Sequence, residues 1–413
     1  MKPILVVMGT RPEAIKLWPV ITELRARSYD VRIASTNQQP DLLPPILKEL
    51  GLVPEYEPHL SDLRSFQSAA LHVKLGTWIS WLGQMIAIDE PQLVIVQGDT
   101  TTALAGALAA FYAQVPIAHV AAGLRTYDLT SPFPEEGNRQ MIARIATLSF
   151  PPTKEALANL CDEHAARVPI QKIDGFGGFA CVYGNTGIDA LHSAMKLSSM
   201  KAAKSEPSDI LVTFHRRESW AEARTVFRAI DELGKTRRVR WVLHPNATER
   251  FAEEEARFMQ LVRPMGYSAF VDELLSTKLV ITDSGGVVEE AVTIGVPTIM
   301  LRDVTERSEA LDAGAELLGR DELHLLERTV DAQLARVRSP SGVFGDGKAA
   351  QRIADHVGDF LRQNNEPVRL TEEVFIVRHG LTSAAWLRAW RANELPDNTE
   401  NNLIYGDALL LSR

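Results

Sequence analysis

Ile281-Thr-Asp-Ser-Gly-Gly-Val-Val-Glu-Glu-Ala291 reads as the end of a buried strand, a glycine turn and the start of a helix. Val280, Ile281 and the apolar residues before them supply the strand, and Ser284 is a natural N-cap. Gly285 and Gly286 let backbone amides approach a ligand that a Cβ would hold away. The helix start that follows offers amides and a positive dipole end to an anion such as phosphate. Glu289 and Glu290 come one turn in, where a carboxylate can accept hydrogen bonds from ribose hydroxyls. An ordinary strand-to-helix turn with a serine cap is the competing reading of this segment alone.

A second site of the same kind opens the chain. Ile4-Leu-Val-Val-Met8 is a short apolar strand, followed by Gly9-Thr-Arg-Pro-Glu-Ala-Ile-Lys16. Pro12 suits the first helical position, which predicts a helix starting there. Arg11 stands just ahead of that start and Lys16 one turn further in, both placed to meet an anion. A third strand and polar turn, Leu93-Val-Ile-Val-Gln-Gly-Asp-Thr-Thr-Thr102, runs into an alanine-rich helix expected from Ala103 to about Tyr112. Asp99 falls at the carboxyl end of that strand, the edge where open α/β sheets bind ligands. It is a candidate for chemistry, with a plain N-cap as the alternative.

Strands at about 4–8, 31–35, 93–97, 117–121 and 147–151 alternate with helical patterns, which predicts a parallel sheet covered on both faces. After the glycine-rich stretch from Gly175 to Gly187 the alternation restarts at 210–213, 239–243 and 279–282. The fold class is therefore α/β with two doubly wound, Rossmann-like domains. The expected limits are 1–174 and 175–346, with a helix over 347–364 packing back on the first domain.

With 413 residues and 45% hydrophobic content the chain is long enough for two cores. A net charge of −9 gives no electrostatic footprint for nucleic acid. Cys161 and Cys181 are the two cysteines and lack metal-site spacing, so they read as free thiols. No signal peptide and no membrane-spanning run are read, which predicts a cytoplasmic enzyme without membrane partners.

The next strand, Ile117-Ala-His-Val-Ala121, leads into Ala-Gly-Leu-Arg-Thr126 and then Ser131-Pro-Phe-Pro-Glu-Glu-Gly-Asn-Arg139. Here GTRPEAIK, GDTTTALA, HVAAGLRT, SPFPEEGNR, GNTGIDAL, HRRES and TDSGGVVEEA, in this order, resemble the non-hydrolysing UDP-N-acetylglucosamine 2-epimerases over roughly residues 1 to 365. The resemblance implies a glycosyltransferase-B type architecture, a nucleotide sugar held between the domains, a homodimer, and inversion at sugar C2 with neither a redox cofactor nor a metal. UDP leaves as the C2 proton is removed, giving a 2-acetamidoglucal, and returns as a proton is delivered to the other face. Matched motif to motif, Asp99 and Glu135 are implied as acid/base carboxylates and His215 as a group near the departing phosphate. Arg11, Lys16, Ser284, Gly285, Gly286, Glu290 and Arg307 are implied in the nucleotide site, and Arg139 on the sugar side. His215 can equally cap a βα turn, although Arg216 and Arg217 beside it favour an anion-facing loop.

Several positions depart from the family pattern. Ala121 stands where the family has a catalytic glutamate, and a methyl group cannot transfer a proton. Asn37-Gln-Gln39 replaces glycine-glutamine-histidine, Val288 replaces a glutamine, and Phe214 replaces a glycine. The ring of Phe214, beside His215, is expected to reshape the sugar pocket. Three readings follow: an epimerase that recruits another group such as Glu136, a relative acting on a different nucleotide sugar, or a UDP-sugar-binding protein without catalysis. The enzyme readings come first because Asp99, Glu135, His215 and the diphosphate residues are retained.

Glu373-Val-Phe-Ile-Val-Arg-His-Gly-Leu-Thr382 resembles the first strand and RHG motif of the histidine phosphatase superfamily, with His379 as nucleophile and Arg378 on phosphate. A short strand with a charged turn is the alternative. The segment 366–413 is too short to complete such a domain, so no phosphatase activity is expected. Composition predicts poor order over 383–413.

Overall fold

The computed structural model describes residues 2–58, 66, 68–165, 182–199, 208–214, 223–243, 256–363, 404–405 and 408–409. The chain folds as two compact units, 1–186 with 347–413, and 187–346. The boundary expected at 174–175 lies outside the described residues, as do the phosphatase-like motif at 373–382, Cys181, His215, Arg216 and Arg217. Within the tail expected to be poorly ordered, Ile404–Tyr405 pairs antiparallel with Ala408–Leu409.

The first unit carries a parallel sheet of β1 (Ile4–Met8), β2 (Val31–Ser35), β3 (Leu93–Gln97), β4 (Ile117–Val120) and β5 (Leu148–Phe150), in the order β2-β1-β3-β4-β5. β1 reads as an unbroken apolar run and β3 as one up to Gln97, as expected where helices cover both faces, and both are buried along their whole length. The helices between them are α1 (Arg11–Ala26), α2 (Leu43–Leu50), α3 (Leu71–Asp89), α4 (Thr101–Tyr112), α5 (Glu135–Ile145) and α6 (Lys154–Ala165). Leu5, Val7, Val94 and Val96 pack with Trp78, Leu82 and Ile86 of α3 and with the alanines of α4. Small side chains let α4 lie close to the sheet.

The second unit begins with α7 (Thr186–Ser199, its first residue at the boundary) and continues through β6 (Ile210–Phe214), α8 (Ala223–Leu233), β7 (Val239–Leu243), β8 (Gln260–Val262), α9 (Tyr267–Ser276), β9 (Leu279–Thr282), α10 (Gly285–Thr293), β10 (Thr298–Leu301), α11 (Ser308–Asp312), β11 (Glu316–Leu318) and α12 (Leu326–Leu334). Its sheet is also parallel, in the order β11-β10-β9-β6-β7-β8. Sequence periodicity named three of these six strands. The edge strands β8 and β11 span three residues each, too few to display a period, and β10 is a four-residue run just after Gly295-Val-Pro297.

After the second unit the chain returns to the first as α13 (Ala349–Gln363). Its Asp355 accepts a hydrogen bond from Arg27 Nη2 at the end of α1 (2.8 Å), and its His356 Nδ1 meets the Tyr183 hydroxyl at 2.7 Å.

The strand orders locate the places where ligands can enter. In the first sheet the order reverses between β1 and β3, and in the second between β6 and β9. At such a switch point the connections leave on opposite faces, and a crevice opens beyond the carboxyl ends of the two strands. The turns there are Gly9–Arg11 and Gly98–Thr100 in the first unit, and Asp283–Gly286 after β9 in the second.

Candidate functional site

Helix α1 starts at Arg11, one residue earlier than Pro12 implied, because Thr10 is the N-cap. Thr10 and Glu13 form a capping box, each side chain satisfying an amide at the other's position. Glu13 Oε2 accepts from Gly9 N at 2.9 Å, Thr10 N at 2.8 Å and Thr10 Oγ1 at 2.8 Å. Gly9 is held in a tight place: a Cβ there would sit 2.2 Å from the hydroxyls of both Thr36 and Thr102. Those two hydroxyls bond each other at 2.6 Å, and Gln38 Oε1 accepts from Thr102 N and Oγ1. Arg11 and Lys16 are both half-buried on α1, and Arg11 N donates to Gln39 Oε1 at 3.0 Å.

The Asp99 turn is gripped from three sides. Thr100, not Asp99, is the N-cap of α4, its hydroxyl accepting from Ala103 N at 3.0 Å, so α4 begins two residues before the expected Ala103. Thr100 Oγ1 donates to Glu13 Oε1 at 2.6 Å, Asn138 Nδ2 to the Asp99 carbonyl at 2.8 Å, and His119 Nε2 to the Gly98 carbonyl at 2.7 Å. Arg139 Nη1 lies 3.2 Å from Asp99 Oδ2, with the arginine side chain 2% exposed and the carboxylate 29% exposed. Arg139 also pairs with Glu136 at 3.1 Å. It is thus buried between two carboxylates, which favours an action through Asp99 over the sugar-side contact implied by its motif.

Glu135 is the first residue of α5, half-buried, and shares a helix face with Asn138 and Arg139 three and four positions on. Glu136 is fully buried and accepts from Thr126 N, Tyr127 N and Gln140 Nε2 besides pairing with Arg139. Burial alone would raise its pKa, but the Gln140 and Thr126 hydrogen bonds and the nearby Arg139 and Arg125 hold it below the usual carboxylate range. A carboxylate so fully engaged is a structural anchor for the 126–127 loop, and it is poorly suited to the proton transfer considered for it. Ala121 is buried and takes the left-handed region, φ +60°, at the end of β4.

In the second unit Ser284 occupies the N-cap position of α10 with extended backbone, yet its side chain makes no capping hydrogen bond. Its own amide donates to Thr282 Oγ1 at 2.9 Å. The sequence expectation of a serine cap is corrected: the Ser284 side chain does not cap the first turn of α10. The Arg307 guanidinium packs on Gly285, where a Cβ would lie 2.2 Å from it, whereas a Cβ on Gly286 would meet open space. Arg307 is buried, donates from Nε to Glu289 Oε1 at 2.7 Å and pairs with Glu306, which in turn binds Arg302. Burial opposes its charge, and Glu289 and Glu306 outweigh that opposition, so it remains cationic. Glu290 accepts from the Tyr267 hydroxyl at 2.8 Å.

Phe214 does not intrude on a pocket. Its ring is buried in the core of the second unit with Val226, Phe227 and Ile230, edge-on to Trp241 at 6.1 Å. As the last residue of β6 it points its side chain to the α8 side of the sheet, and the expectation of a remodelled sugar pocket fails for that reason. Val288, likewise, is buried against Ile188, Val292 and Met300.

Sequence reasoning overlooked Glu13 and His119. His119 is an ionisable group inside the otherwise apolar run Ile117-Ala-His-Val-Ala121, and that mismatch was a signal available; Glu13 lies in a polar turn, where its only signal was the capping-box spacing from Thr10. Burial pushes Glu13 up from 4.5 to about 7 against the hydrogen bonds of Thr100, Gly9 and Thr10. Burial pushes His119 down from 6.5 to about 4, with Gly98 working against it. Among the described residues no cluster of histidine, cysteine and carboxylate side chains could hold a metal ion, and no helix is long and apolar enough to cross a membrane.

Residues 22–358 match the family model described as UDP-N-acetylglucosamine 2-epimerase. The chain is 34% identical over 372 residues to the UDP-N-acetylglucosamine 2-epimerase of Bacillus subtilis, covering 86% of this chain and 94% of that protein. The Neisseria meningitidis UDP-GlcNAc 2-epimerase solved with UDP-GlcNAc superposes with a TM-score of 0.76 at 30% identity, covering 86% of this chain and all of that one. The Methanocaldococcus jannaschii enzyme in complex with UDP-GlcNAc and UDP gives 0.76 at 31% identity, covering 87% and 100%.

Proposed function

From the premise that the chain belongs to the UDP-N-acetylglucosamine 2-epimerase family, we propose that it is an isomerase inverting C2 of a UDP-amino sugar, UDP-N-acetylglucosamine first among them. The observation that carries this reading is that each unit has a switch-point turn with the chemistry the reaction needs. One presents a clamped but accessible carboxylate, Asp99; the other presents a helix start at Ser284–Gly286 that the serine side chain does not cap.

In this reading the α10 start of the second unit takes the diphosphate through its first-turn amides and dipole, and Glu290 accepts from the ribose; on the first unit Arg11 and Lys16 are the anion-facing cations. Arg307 remains in the nucleotide site as the charge packed on Gly285. A base of the Asp99, Glu135 and His215 set removes the C2 proton as the C1–O bond breaks, and the electron pair forms the C1=C2 bond while UDP departs with the phosphate oxygen. Protonation of C2 from the opposite face and return of that oxygen to C1 complete the inversion, with no net redox change. Ala121 contributes no proton, so the proton work falls to these three residues. Cytoplasmic location, a homodimer and supply of UDP-N-acetylmannosamine to polysaccharide synthesis complete the proposal.

Incubation with UDP-N-acetylglucosamine in deuterated water tests it. The expected outcome is the C2 epimer carrying deuterium at C2. Free UDP accumulating with a 2-acetamidoglucal and no epimer, or no reaction despite UDP binding, would overturn the isomerase assignment.

A further inference from the structure

Glu13 is buried and belongs to none of the groups assigned above to the substrate. Its two oxygens nevertheless hold two different turns. Oε2 takes the amides of Gly9 and Thr10 and the Thr10 hydroxyl, which brace the residue next to Arg11. Oε1 takes the Thr100 hydroxyl at 2.6 Å, which braces the residue next to Asp99. The Thr100 hydroxyl also accepts from Ala103 N, so donor and acceptor roles are both occupied and its rotor is fixed. An N3 glutamate needs only to reach the N-cap amide to complete a capping box, and it can do so from the surface. Here the carboxylate is withdrawn from water at a cost that capping does not require, and the added partner is Thr100.

We propose that Glu13 is a positioning residue that locks the Arg11 turn after β1 to the Asp99 turn after β3. One carboxylate thereby sets both the anion-facing cation and the acid/base group in a shared frame. The proposal rests on the reading of Arg11 and Asp99 as ligand-side groups given above.

The test compares Glu13→Ala, Glu13→Gln, Thr100→Ala and Thr100→Ser in the full chain, with UDP titration calorimetry, kcat and KM for UDP-N-acetylglucosamine, and thermal unfolding. Glu13→Ala is expected to weaken UDP about tenfold and lower kcat about 10- to 100-fold, since small misplacements of reacting groups are that costly. Thr100→Ala cuts one arm, so kcat falls about tenfold while UDP affinity stays within about twofold, and Thr100→Ser restores kcat. Glu13→Gln rescues both readouts, because its carbonyl can serve Gly9 and Thr10 while its amide donates to Thr100.

A folded Glu13→Ala with UDP affinity and kcat within about twofold of wild type would overturn the proposal, leaving a merely structural carboxylate. Should Glu13→Ala not fold, unchanged kcat in Thr100→Ala overturns it instead. Should wild type turn over no UDP-N-acetylglucosamine, the isomerase reading fails separately, and UDP affinity in Glu13→Ala and Glu13→Gln still decides the Arg11 arm. An Asp99→Asn with unchanged kcat would remove Asp99 from the chemistry and overturn the shared frame, even beside a UDP-weakened Glu13→Ala.

Discussion

Arg139 reaches Asp99 across 3.2 Å while lying buried itself, so the carboxylate at the first switch point is held from beneath by a cation that solvent does not reach. The same guanidinium lies 3.1 Å from Glu136, so one buried cation is shared between a partly exposed carboxylate and a buried one.

Arg139→Lys keeps the charge but loses that double contact, because an ammonium is a point donor and a guanidinium is a fork. The expected result is a kcat lowered about 10- to 100-fold with UDP affinity unchanged, as for a loss of geometry at the reacting group. Asp99→Asn and Glu135→Gln are expected to lower kcat about 10²- to 10⁴-fold at unchanged UDP affinity. Steady-state kinetics with calorimetry checks all three, and rates within about threefold of wild type would remove both carboxylates from acid/base roles.

Ala121 sits at φ +60°, a conformation that disfavours any Cβ. Ala121→Gly is therefore expected to raise stability by about 0.5 to 1 kcal/mol in urea unfolding. Ala121→Glu places a carboxylate on the same turn and is expected to raise epimerisation by about 10²- to 10⁴-fold if no other group supplies that proton. Since Glu136 is fully engaged, an unchanged rate would point to Glu135 or His215 as the group already serving that face.

Phe214→Gly removes a core ring beside Trp241 and Phe227. The expected cost is about 3 to 5 kcal/mol, typical of a buried phenylalanine truncated to a small residue, with no gain in turnover. Chemical denaturation measures it; a near-neutral change would mean that the ring packs on nothing that matters.

The two buried ionisable groups impose opposite pH slopes. Between pH 4.5 and about 7 the folded chain keeps a proton on Glu13 that the unfolded chain releases, so this group lowers stability as pH rises. Between 6.5 and about 4 the unfolded chain takes a proton on its histidine that buried His119 refuses, so this group lowers stability as pH falls. Glu13→Gln is expected to gain stability over wild type at pH 8 relative to pH 4.5, on the order of 2 to 3 kcal/mol from a shift of this size. Urea unfolding of both proteins at the two pH values checks the sign.

Much of this was legible in the residues. Strand β1 to α1, β3 to α4 and β9 to α10 each announce themselves by an apolar run and a polar turn, and those three turns fall at the two switch points. What the sequence concealed depends on long-range packing. Nothing local tells whether the Phe214 ring faces a pocket or Trp241, because side-chain facing in a strand covered on both sides follows from pairing with its neighbours. Gly285 reads in the sequence as a ligand-approach glycine, and nothing local shows that the Arg307 guanidinium, 22 positions away in the chain, packs against it. The Ser284 cap was a fair inference from residue type that the side chain does not fulfil.

The return of α13 to the first unit sets an order for synthesis. A chain emerging from the ribosome presents β1 through β5 early, yet Arg27 and Tyr183 wait for Asp355 and His356 until the whole second unit has been translated. The second unit, continuous from 187 to 346, can close on itself first. The amino-terminal sheet, although made earlier, is the later of the two to be finished, and a ribosome halted near residue 346 would release a molecule whose second unit is whole and whose first unit lacks α13.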